Sequence, residues 1–385
     1  MKEFNIALLK GDGIGPEVID VGTKVLDAAA DVEGFSLRYE PYPFGSDYYL
    51  KTGIVITDEA IREFKSSDAI YFGALGDPRV KPGVMEVDLI LRIRFALDQY
   101  INLRPVKLYP NVTCPLKGID TLDFYIIREN SEDMYNGMNR RISKGMPAER
   151  SIRMGVEREL YNASFQLTAD FDRDDDYAVA LGLLSGKNAE RVMRYTFGLA
   201  EAKGKTSVTC VDKINIFPEF YKLWEDAFYA EAAKHPNITT NHAHVDAMTM
   251  WMVKNPQDFG VAVAPNLFGD IITDLGAAIS GGLGFAAGAN ICPEGVSMFE
   301  PIHGSAPKYT GKNVINPIAT VLSGAMMLET LGAKSAAKRV EDAVFAVLAN
   351  GSVCTKDMGG TTKTNEVGEL LVNAIYEEAK QGKRV

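Results

Sequence analysis

Three aspartates in the second half of the chain have the spacing and surroundings of a metal site. Asp270 and Asp274 stand four residues apart, so on a helix both carboxylates project from the same face. Asp246 lies in a largely apolar stretch, where an unpaired carboxylate would be costly to bury. Carboxylate oxygens suit a hard divalent ion such as Mg²⁺ or Mn²⁺. The alternative is that Asp270 and Asp274 stabilise the start of a helix through its dipole and that Asp246 is unrelated. The spacing alone does not separate these two interpretations.

Three arginines near apolar segments could bind an acidic ligand. Arg94 lies in a helical pattern, Arg104 precedes Pro105 and is therefore expected to be extended, and Arg128 follows a predicted strand. An arginine can hold a carboxylate with two N–H donors. The three together could bind a di- or tricarboxylic acid, although each one alone is more typical of a surface charge.

Tyr135 and Lys213 are candidates for proton transfer. Lys213 follows a predicted strand, where partial burial would lower the pKa of its amine, whereas an isolated lysine is usually a surface residue. His242 and His244 alternate with Ala243, as on a strand. No third ligand is evident beside these two histidines, which argues against a zinc site.

Two loops rich in small residues could let backbone N–H groups approach a ligand closely. One is Gly-Asp-Gly-Ile-Gly-Pro-Glu at 11–17, and the other is Glu-Pro-Ile-His-Gly-Ser-Ala-Pro at 300–307, followed by Lys308, Tyr309 and Asn316. Neither loop has the Gly-x-Gly-x-x-Gly spacing of a dinucleotide loop. Spacing alone therefore does not identify a nucleotide site.

The bulk properties indicate an α/β protein of two domains. The chain has 385 residues, a net charge of −10 and a pI near 5.1, which argues against nucleic acid or an anionic membrane as the main partner. Four scattered cysteines indicate reduced thiols, and with no signal peptide or spanning segment in the sequence a cytoplasmic location is expected. Strands that alternate with helical patterns are predicted at 4–9, 68–75, 124–127, 207–211 and 260–264.

The pattern weakens over residues 139–187, which are predicted to be irregular. The acidic run 170–176 lacks the glycine and the glutamate of a calcium loop, since Asp175 and Leu181 stand at those positions. A solvated acidic loop is the better interpretation. The flanking stretches could form an arm that packs on a partner subunit.

Four motifs together resemble the β-decarboxylating dehydrogenases, the family of isocitrate, 3-isopropylmalate, homoisocitrate, tartrate and D-malate dehydrogenases. They are the 11–17 loop, Asn-Leu-Arg-Pro at 102–105, Asn-Leu-Phe-Gly-Asp-Ile at 266–271 and His-Gly-Ser-Ala-Pro at 303–307. The resemblance covers nearly the whole chain except 139–187. It implies an isopropylmalate-dehydrogenase-like two-domain α/β fold, not a Rossmann dinucleotide fold.

The resemblance also implies a domain division and a homodimer with shared active sites. Residues 1–103 plus 281–385 would form a large cofactor-binding domain. Residues 104–280 would form a small domain with the dimer interface and an arm-like insertion near 139–187. Asp270 and Asp274 of one subunit would bind Mg²⁺ or Mn²⁺ together with Asp246 of its neighbour, which would also supply Lys213.

Roles for the remaining site residues follow from the same motif match. Lys213 would remove the proton of the substrate hydroxyl, and Tyr135 would protonate the product carbon. The substrate would be bound by Ile90, Leu91, Arg94, Arg104 and Arg128. The cofactor would be bound by Asn215, Glu300, His303, Gly304, Ser305, Ala306, Pro307, Lys308, Tyr309 and Asn316.

The turn of helix before Arg94 bears on the substrate. Isocitrate enzymes resemble one another in having a serine and an asparagine where this chain has Asp88 and Ile90, and an aspartate would repel a third carboxylate. Ile90 and Leu91 match the leucine pair of isopropylmalate enzymes, yet tartrate and D-malate enzymes look similar there. We therefore expect 3-isopropylmalate, with D-malate or tartrate as alternatives.

The cofactor signals conflict. NAD-using members resemble one another in having aspartate-isoleucine where this chain has Lys308-Tyr309, and a lysine favours the 2′-phosphate of NADP. The tail at 359–364 resembles NAD-type enzymes instead. NADP is preferred over NAD by a small margin. A non-catalytic regulatory subunit would be expected to lack some of these aspartates or Lys213, and none is missing.

Overall fold

The computed structural model describes residues 2–144, 151–168 and 174–382 of the chain. The predicted acidic loop lies in part outside them, since residues 170–173 are among those not described. By their internal packing, the residues divide into two units. The first unit is Met1–Tyr125, Met252–Asp258 and Thr273–Val385, and the second is Ile126–Trp251 and Phe259–Ile272. The domain boundaries expected from the family resemblance stay a prediction.

Strands and helices alternate along the chain. The strands are β1 (Lys2–Gly11), β2 (Phe35–Tyr42), β3 (Ala69–Ala74), β4 (Ile101–Lys107), β5 (Asp123–Glu129), β6 (Asn139–Ile142), β7 (Ser151–Arg158), β8 (Tyr161–Thr168), β9 (Tyr177–Ala180), β10 (Ser207–Asp212), β11 (Thr239–His244), β12 (Val261–Ala264), β13 (Ala287–Ile291) and β14 (Ser297–Pro301). All five predicted strands are confirmed.

The helices are α1 (Gly15–Glu33), α2 (Ser46–Thr52), α3 (Asp58–Phe64), α4 (Arg92–Ala96), α5 (Gly186–Ala202), α6 (Pro218–Ala232), α7 (Val245–Lys254), α8 (Asn266–Ile279), α9 (Ile318–Thr330), α10 (Lys334–Ala349) and α11 (Thr364–Gly382). A turn of π-helix, Glu86–Leu91, leads directly into α4. The helix after the 11–17 loop is α1, whose apolar positions Val18, Val21, Val25 and Leu26 are all buried.

The first unit has a mixed sheet in the order β4-β13-β14-β3-β1-β2. Strand β1 is parallel to both β2 and β3, and β3 is parallel to β14, while β13 is antiparallel to both β14 and β4. Helices α1 and α9 pack against this sheet. The order differs from the 3-2-1-4-5-6 arrangement of a dinucleotide-binding Rossmann sheet.

The second unit has a sheet in the order β11-β10-β12-β5, in which β10 is parallel to both of its neighbours. Helices α5 and α6 pack against β10 and against each other. Their shared core includes the fully buried Trp224, Phe197 and Phe228. Because parallel strands direct their carboxyl ends to one edge, residues that follow β10 and β11 are brought together.

The prediction of irregular structure over 139–187 is wrong. The segment contains two antiparallel pairs, β6 with β9 and β7 with β8. Apolar side chains on alternate residues, among them Met154, Val156 and Phe165, form a small cluster of their own with Met138. An alternating pattern of this kind is typical of strands with one covered face. The proposed contact with a partner subunit stays a prediction.

Candidate active site

Arg128, Tyr135 and Asp270 form one hydrogen-bonded cluster in the second unit. Arg128 is the next-to-last residue of β5, so the expectation that it follows the strand is wrong, and it is almost fully buried. Its Nη1 bonds to Oδ1 of Asp270, and its Nε donates to Oδ1 of Asn266 at 2.9 Å. The Tyr135 hydroxyl donates to Oδ2 of Asp270 at 2.8 Å, and the guanidinium lies 4.9 Å from the tyrosine ring centroid.

The start of α8 is held by an acid other than the expected ones. Asp270 and Asp274 lie beyond the first turn, so the alternative that they stabilise the helix start is wrong. Instead the Asp133 carboxylate accepts the backbone N–H of Leu267 at 2.8 Å, a favourable position for a negative charge. Burial raises the pKa of Asp133 to about 6. Asp270 and Asp274 therefore do not serve as the acids of this helix start.

Gly269 allows α8 to approach Arg128 closely. A Cβ at Gly269 would lie 2.5 Å from Cγ and 2.6 Å from Cβ of Arg128, and 3.1 Å from its backbone Cα. Real Cβ contacts are not this short, so the helix or the arginine would have to move. The sequence did not single out this glycine, although it lies inside the Asn-Leu-Phe-Gly-Asp-Ile motif.

Gly269→Ala is therefore expected to lower the free energy of unfolding by about 1–3 kcal/mol, because overpacking displaces Arg128. The measurement is urea unfolding followed by circular dichroism. Gly198→Ala is the matched control, since Gly198 also lies within a helix but has no atom within 4 Å of an added Cβ. That control should be neutral or stabilising by up to about 1 kcal/mol. Equal effects of the two substitutions would contradict the packing argument.

A buried polar turn, Glu129–Asp133, supports the cluster and was missed in the sequence. Glu129 is fully buried, and its carboxylate accepts bonds from Ser131, from the backbone N–H of Glu132 and from the side chain of Asn188. Glu132 accepts both the backbone N–H (2.8 Å) and the hydroxyl (2.7 Å) of Ser185. Burial, with the nearby charge of Glu129, raises the pKa of Glu132 to about 7.

This raised pKa predicts a pH-dependent stability. Glu132 is neutral in both states below its ordinary pKa of 4.5, and stability falls as the pH rises from there to the folded-state pKa of about 7. The free energy of unfolding of Glu132→Gln minus that of the wild type should therefore increase by roughly 1–3 kcal/mol from pH 5 to pH 8. Urea unfolding at both pH values measures this difference. Glu190→Gln, at an exposed position of α5, is the control, and an equal difference for both variants would contradict the prediction.

Lys213 and Asp246 form a pair in the second unit. Lys213 directly follows β10 as expected, and its Nζ donates to Oδ1 of Asp246 at 2.6 Å. Asp246 lies in the first turn of α7 with 69% of its side chain exposed, against 23% for Lys213. The hydrogen bond from Lys213 lowers the pKa of Asp246. Asn215, two residues after Lys213, is exposed.

Arg94 and Arg104 belong to a polar network inside the first unit. Glu300 lies 3.4 Å from Arg94 and accepts a hydrogen bond from Nδ2 of Asn290 at 2.7 Å. Oδ1 of Asn290 accepts from Asn102 at 2.8 Å, and Oδ1 of Asn102 accepts from Nε of Arg104 at 2.5 Å. All five side chains are buried, so the interpretation of these arginines as surface charges is wrong. Glu300, expected at the cofactor, contacts a predicted substrate arginine.

The two apolar residues expected at the substrate lie in the π-helical turn rather than in an α-helix. Ile90 and Leu91 are both half-buried, and Ile90 packs against the hydrophobic core of the first unit. Asp88, on the same turn, is exposed. Single π-helical turns are frequent at functional sites.

The expected cofactor loop is held in place by the 11–17 loop, also in the first unit. The buried Asp12 carboxylate accepts bonds from the backbone N–H and hydroxyl of Ser46 and from the N–H of Gly76. The N–H of Ile14 donates to the carbonyl of Ser305 at 2.9 Å. The 11–17 loop, a weak signal in the sequence, therefore positions residues 303–307.

Lysines surround Tyr309 beside that loop. The ammonium groups of Lys308, Lys356 and Lys312 lie 5.0, 4.8 and 5.9 Å from its ring centroid. His303 is half-buried, and burial lowers its pKa. Asn316 is buried, donates to Asp357 and accepts the N–H of Ile318 at 3.0 Å. Lys312 and Lys356 were not among the predicted site residues.

A family model described as isocitrate/isopropylmalate dehydrogenase matches residues 5–371. The chain belongs to the isocitrate/isopropylmalate dehydrogenase family. It is 39% identical over 381 residues to a 3-isopropylmalate dehydrogenase from Thermobifida fusca, covering 98% of this chain and 99% of that protein. It is 40% identical over 380 residues to a probable tartrate dehydrogenase/decarboxylase from Agrobacterium vitis, covering 97% and 98% of the two chains.

The fold is shared with solved structures of the family. A crystal structure of isocitrate dehydrogenase from Methylococcus capsulatus matches with a TM-score of 0.82 and 30% identity, covering 97% of this chain and 99% of that one. The predicted family and fold class are confirmed. No helix in the part of the chain that the structure describes is both long and apolar enough to cross a bilayer.

Proposed function

We propose that this protein oxidatively decarboxylates a 2-hydroxy diacid, with 3-isopropylmalate as substrate, a nicotinamide as hydride acceptor and Mg²⁺ or Mn²⁺ as cofactor. The cluster of Arg128, Tyr135 and Asp270 is the observation that carries the proposal. In it, Asp270 is hydrogen-bonded to both Arg128 and Tyr135, and these contacts support the proposed roles of Arg128 in binding a carboxylate, of Tyr135 as proton donor and of Asp270 as metal ligand. Family membership supports the same chemistry.

The residues present fit a divalent ion. Asp246, Asp270 and Asp274 offer only carboxylate oxygens, which suit Mg²⁺ or Mn²⁺, and the side chain of Asp270 is 41% exposed although it bonds to Arg128 and Tyr135. Because Asp246 and Lys213 contact each other within one chain, a single neighbouring subunit would contribute both to the site. When bound, the ion supplies positive charge at the substrate's 2-oxygen, and the nicotinamide supplies the acceptor for the C2 hydride.

The chain's own residues bind the substrate and move its protons. Arg94, Arg104 and Arg128 hold the two carboxylates, and the network through Glu300 fixes the position of Arg94. Lys213 takes the proton of the 2-hydroxyl as C2 is oxidised. The β-carboxylate then leaves as CO₂, and the hydroxyl of Tyr135 donates a proton to the carbon that carried it.

The choice of substrate rests on the π-helical turn. Ile90 and Leu91 offer apolar surface suited to an alkyl group, while the exposed Asp88 would repel the third carboxylate of isocitrate. D-malate or tartrate is the second candidate, because relatives named as probable tartrate dehydrogenases are as similar to this chain as those named 3-isopropylmalate dehydrogenase. An apolar pocket distinguishes such substrates by only about 1–3 kcal/mol per methylene.

NADP is the proposed cofactor in preference to NAD. Lys308, Lys312 and Lys356 gather positive charge around Tyr309, next to the loop expected to bind the adenosine half. Cations at this position favour a 2′-phosphate, which NADP has and NAD lacks.

A homodimer is part of the proposal. Ile216, Phe217, Met250 and Trp251 expose 43–58% of their surface in the second unit. Ile216 and Phe217 follow Lys213 closely, and Met250 and Trp251 lie on α7 with Asp246. Exposed large apolar side chains close in sequence to the proposed site residues support an interface there. Size-exclusion chromatography coupled to light scattering should give a mass twice that of the 42.1 kDa chain.

The test of the proposed function is a cofactor-reduction assay that crosses two cofactors with four acids. NAD⁺ and NADP⁺ are each combined with 3-isopropylmalate, D-malate, tartrate and isocitrate, in Mn²⁺ and in excess chelator. We expect the highest kcat/KM with 3-isopropylmalate and NADP⁺, and no reaction in chelator. Activity with isocitrate alone would overturn the proposed substrate, and a higher kcat/KM with NAD⁺ would overturn the cofactor preference.

A further inference from the structure

A second group of metal-ligating side chains lies at the carboxyl ends of β10 and β11. Among the described residues, Asp212, His242 and His244 are the one group of three whose ligand atoms all lie within 4.8 Å of one another. The expectation that the two histidines lack a third ligand is therefore wrong. Asp212 is thirty residues before His242 in the sequence and comes close to the two histidines only because β10 pairs with β11.

The register of the two parallel strands places all three side chains on one face. Asp212 pairs with His244, and Cys210 pairs with His242. Since side chains alternate along a strand, the even-numbered residues of both strands project to the same side. β11 ends the strand order of this unit, and the side chains of His242 and His244 are 25% and 35% exposed. An ion from solution can reach both rings.

The hydrogen bonds inside the group leave one ring nitrogen without a partner. The fully buried Asp212 carboxylate is bonded to Nε2 of His242 at 2.8 Å and accepts the N–H of Ile214 at 3.1 Å. Nδ1 of His244 is buried and makes no hydrogen bond, although Oδ1 of Asp212 lies within electrostatic range at 3.5 Å. If the histidines served only to provide hydrogen bonds to the buried Asp212 carboxylate, His242 would be explained. The position of the His244 ring, whose Nδ1 makes no hydrogen bond, would not be explained.

We propose that Asp212, His242 and His244 bind one transition-metal ion such as Zn²⁺ or Co²⁺. Two imidazoles and one carboxylate form a ligand set that zinc uses with a fourth, open position. Imidazole ligands favour such ions over Mg²⁺, which prefers oxygen ligands. The site is thus distinct in chemistry from the three aspartates proposed for Mg²⁺ or Mn²⁺, and it does not depend on the proposed function.

Co²⁺ is the probe of choice because its visible absorption reports its ligands. The full-length protein is stripped of metal with a chelator, and Co²⁺ is titrated in a large excess of Mg²⁺. We expect a visible band that saturates at one ion per chain and is displaced by Zn²⁺. A protein without such a band, and without Zn²⁺ binding in the same buffer by calorimetry, would overturn the proposal.

Substitutions locate the ion. His244→Gln should weaken Co²⁺ binding at least tenfold with little effect on folding, because the Nδ1 of His244 makes no hydrogen bond. His242→Gln should do the same, and if it fails to fold, His244→Gln carries the test. His235→Gln is the matched control, since the carboxylates beside His235 contact opposite ring nitrogens and cannot share one ion with it.

A substitution at the proposed aspartate site tests whether Co²⁺ binds there instead. Asp270→Asn should keep the Co²⁺ band unchanged. A band that is lost in Asp270→Asn but retained in His244→Gln would place the ion at the aspartates and overturn the proposal. Equal binding by His244→Gln, His235→Gln and the wild type would overturn it as well.

Discussion

Replacement of Asp270 by asparagine is expected to lower kcat by about 10³-fold while the protein stays folded. The carboxylate stands on α8 in contact with both Arg128 and Tyr135. Asparagine keeps an oxygen for Arg128 but removes the negative charge that a divalent ion requires. Loss of a group that stabilises developing charge typically costs about 10²–10³ in kcat, and a weakened metal site adds to this loss.

The measurement is the rate of cofactor reduction as a function of Mn²⁺ concentration, together with a circular dichroism melt. Asp226→Asn is the matched control, because Asp226 also pairs with a basic side chain, Lys222, on the exposed surface of the second unit. The control should match the wild type. Normal turnover by Asp270→Asn would show that the metal assignment is wrong.

Replacement of Lys213 by methionine is expected to lower kcat by about 10²–10⁴-fold, the usual contribution of a general base. Methionine keeps most of the apolar length of the side chain but cannot take the hydroxyl proton. Stability should change little, because the partner Asp246 is well exposed and remains solvated. The substrate KM should also change little, since the arginines bind the carboxylates.

Steady-state kinetics with saturating Mn²⁺ separates these effects. Lys222→Met is the control, because Lys222 also pairs with an exposed aspartate, Asp226, outside the proposed site. If Lys213→Met retained more than half of the wild-type kcat, Lys213 would not be the base. A raised KM with unchanged kcat would instead assign Lys213 to substrate binding.

Local patterns predicted the parts of the fold that depend on neighbouring residues. The strand before the 11–17 loop and helix α1 after it follow from a short apolar run and from a repeat of buried positions. The alternating apolar residues of β7 and β8 carried a similar signal, although it was overlooked. Together with Met138, these residues form a small hydrophobic cluster of their own.

The partners of the site residues could not be predicted because they are distant in the sequence. Arg94 meets Glu300 across 206 residues, and Arg128 meets Asp270 across 142. His242 and His244 gain Asp212 only through the register of β10 and β11. Register is set by the packing of the whole sheet, which no local pattern shows.

The acid-rich turn Glu129–Asp133 shows a different limit. Its composition is typical of a solvent-exposed loop, yet the structure buries all five residues. The carboxylates of Glu129, Glu132 and Asp133 accept hydrogen bonds from Asn188, from Ser185 and from the start of α8. The supporting role of such a turn can therefore be recognised only when the hydrogen-bond partners of its charged residues are known.

The ratio of CO₂ released to cofactor reduced tests the central proposal most directly. With 3-isopropylmalate carrying an isotopic label in its β-carboxylate, trapped CO₂ and reduced nicotinamide are measured in the same reaction with Mn²⁺ and in excess chelator. Oxidative decarboxylation predicts one CO₂ for each cofactor reduced with Mn²⁺ and neither product in chelator. Reduction of the cofactor without CO₂ release, or equal rates in chelator, would contradict it.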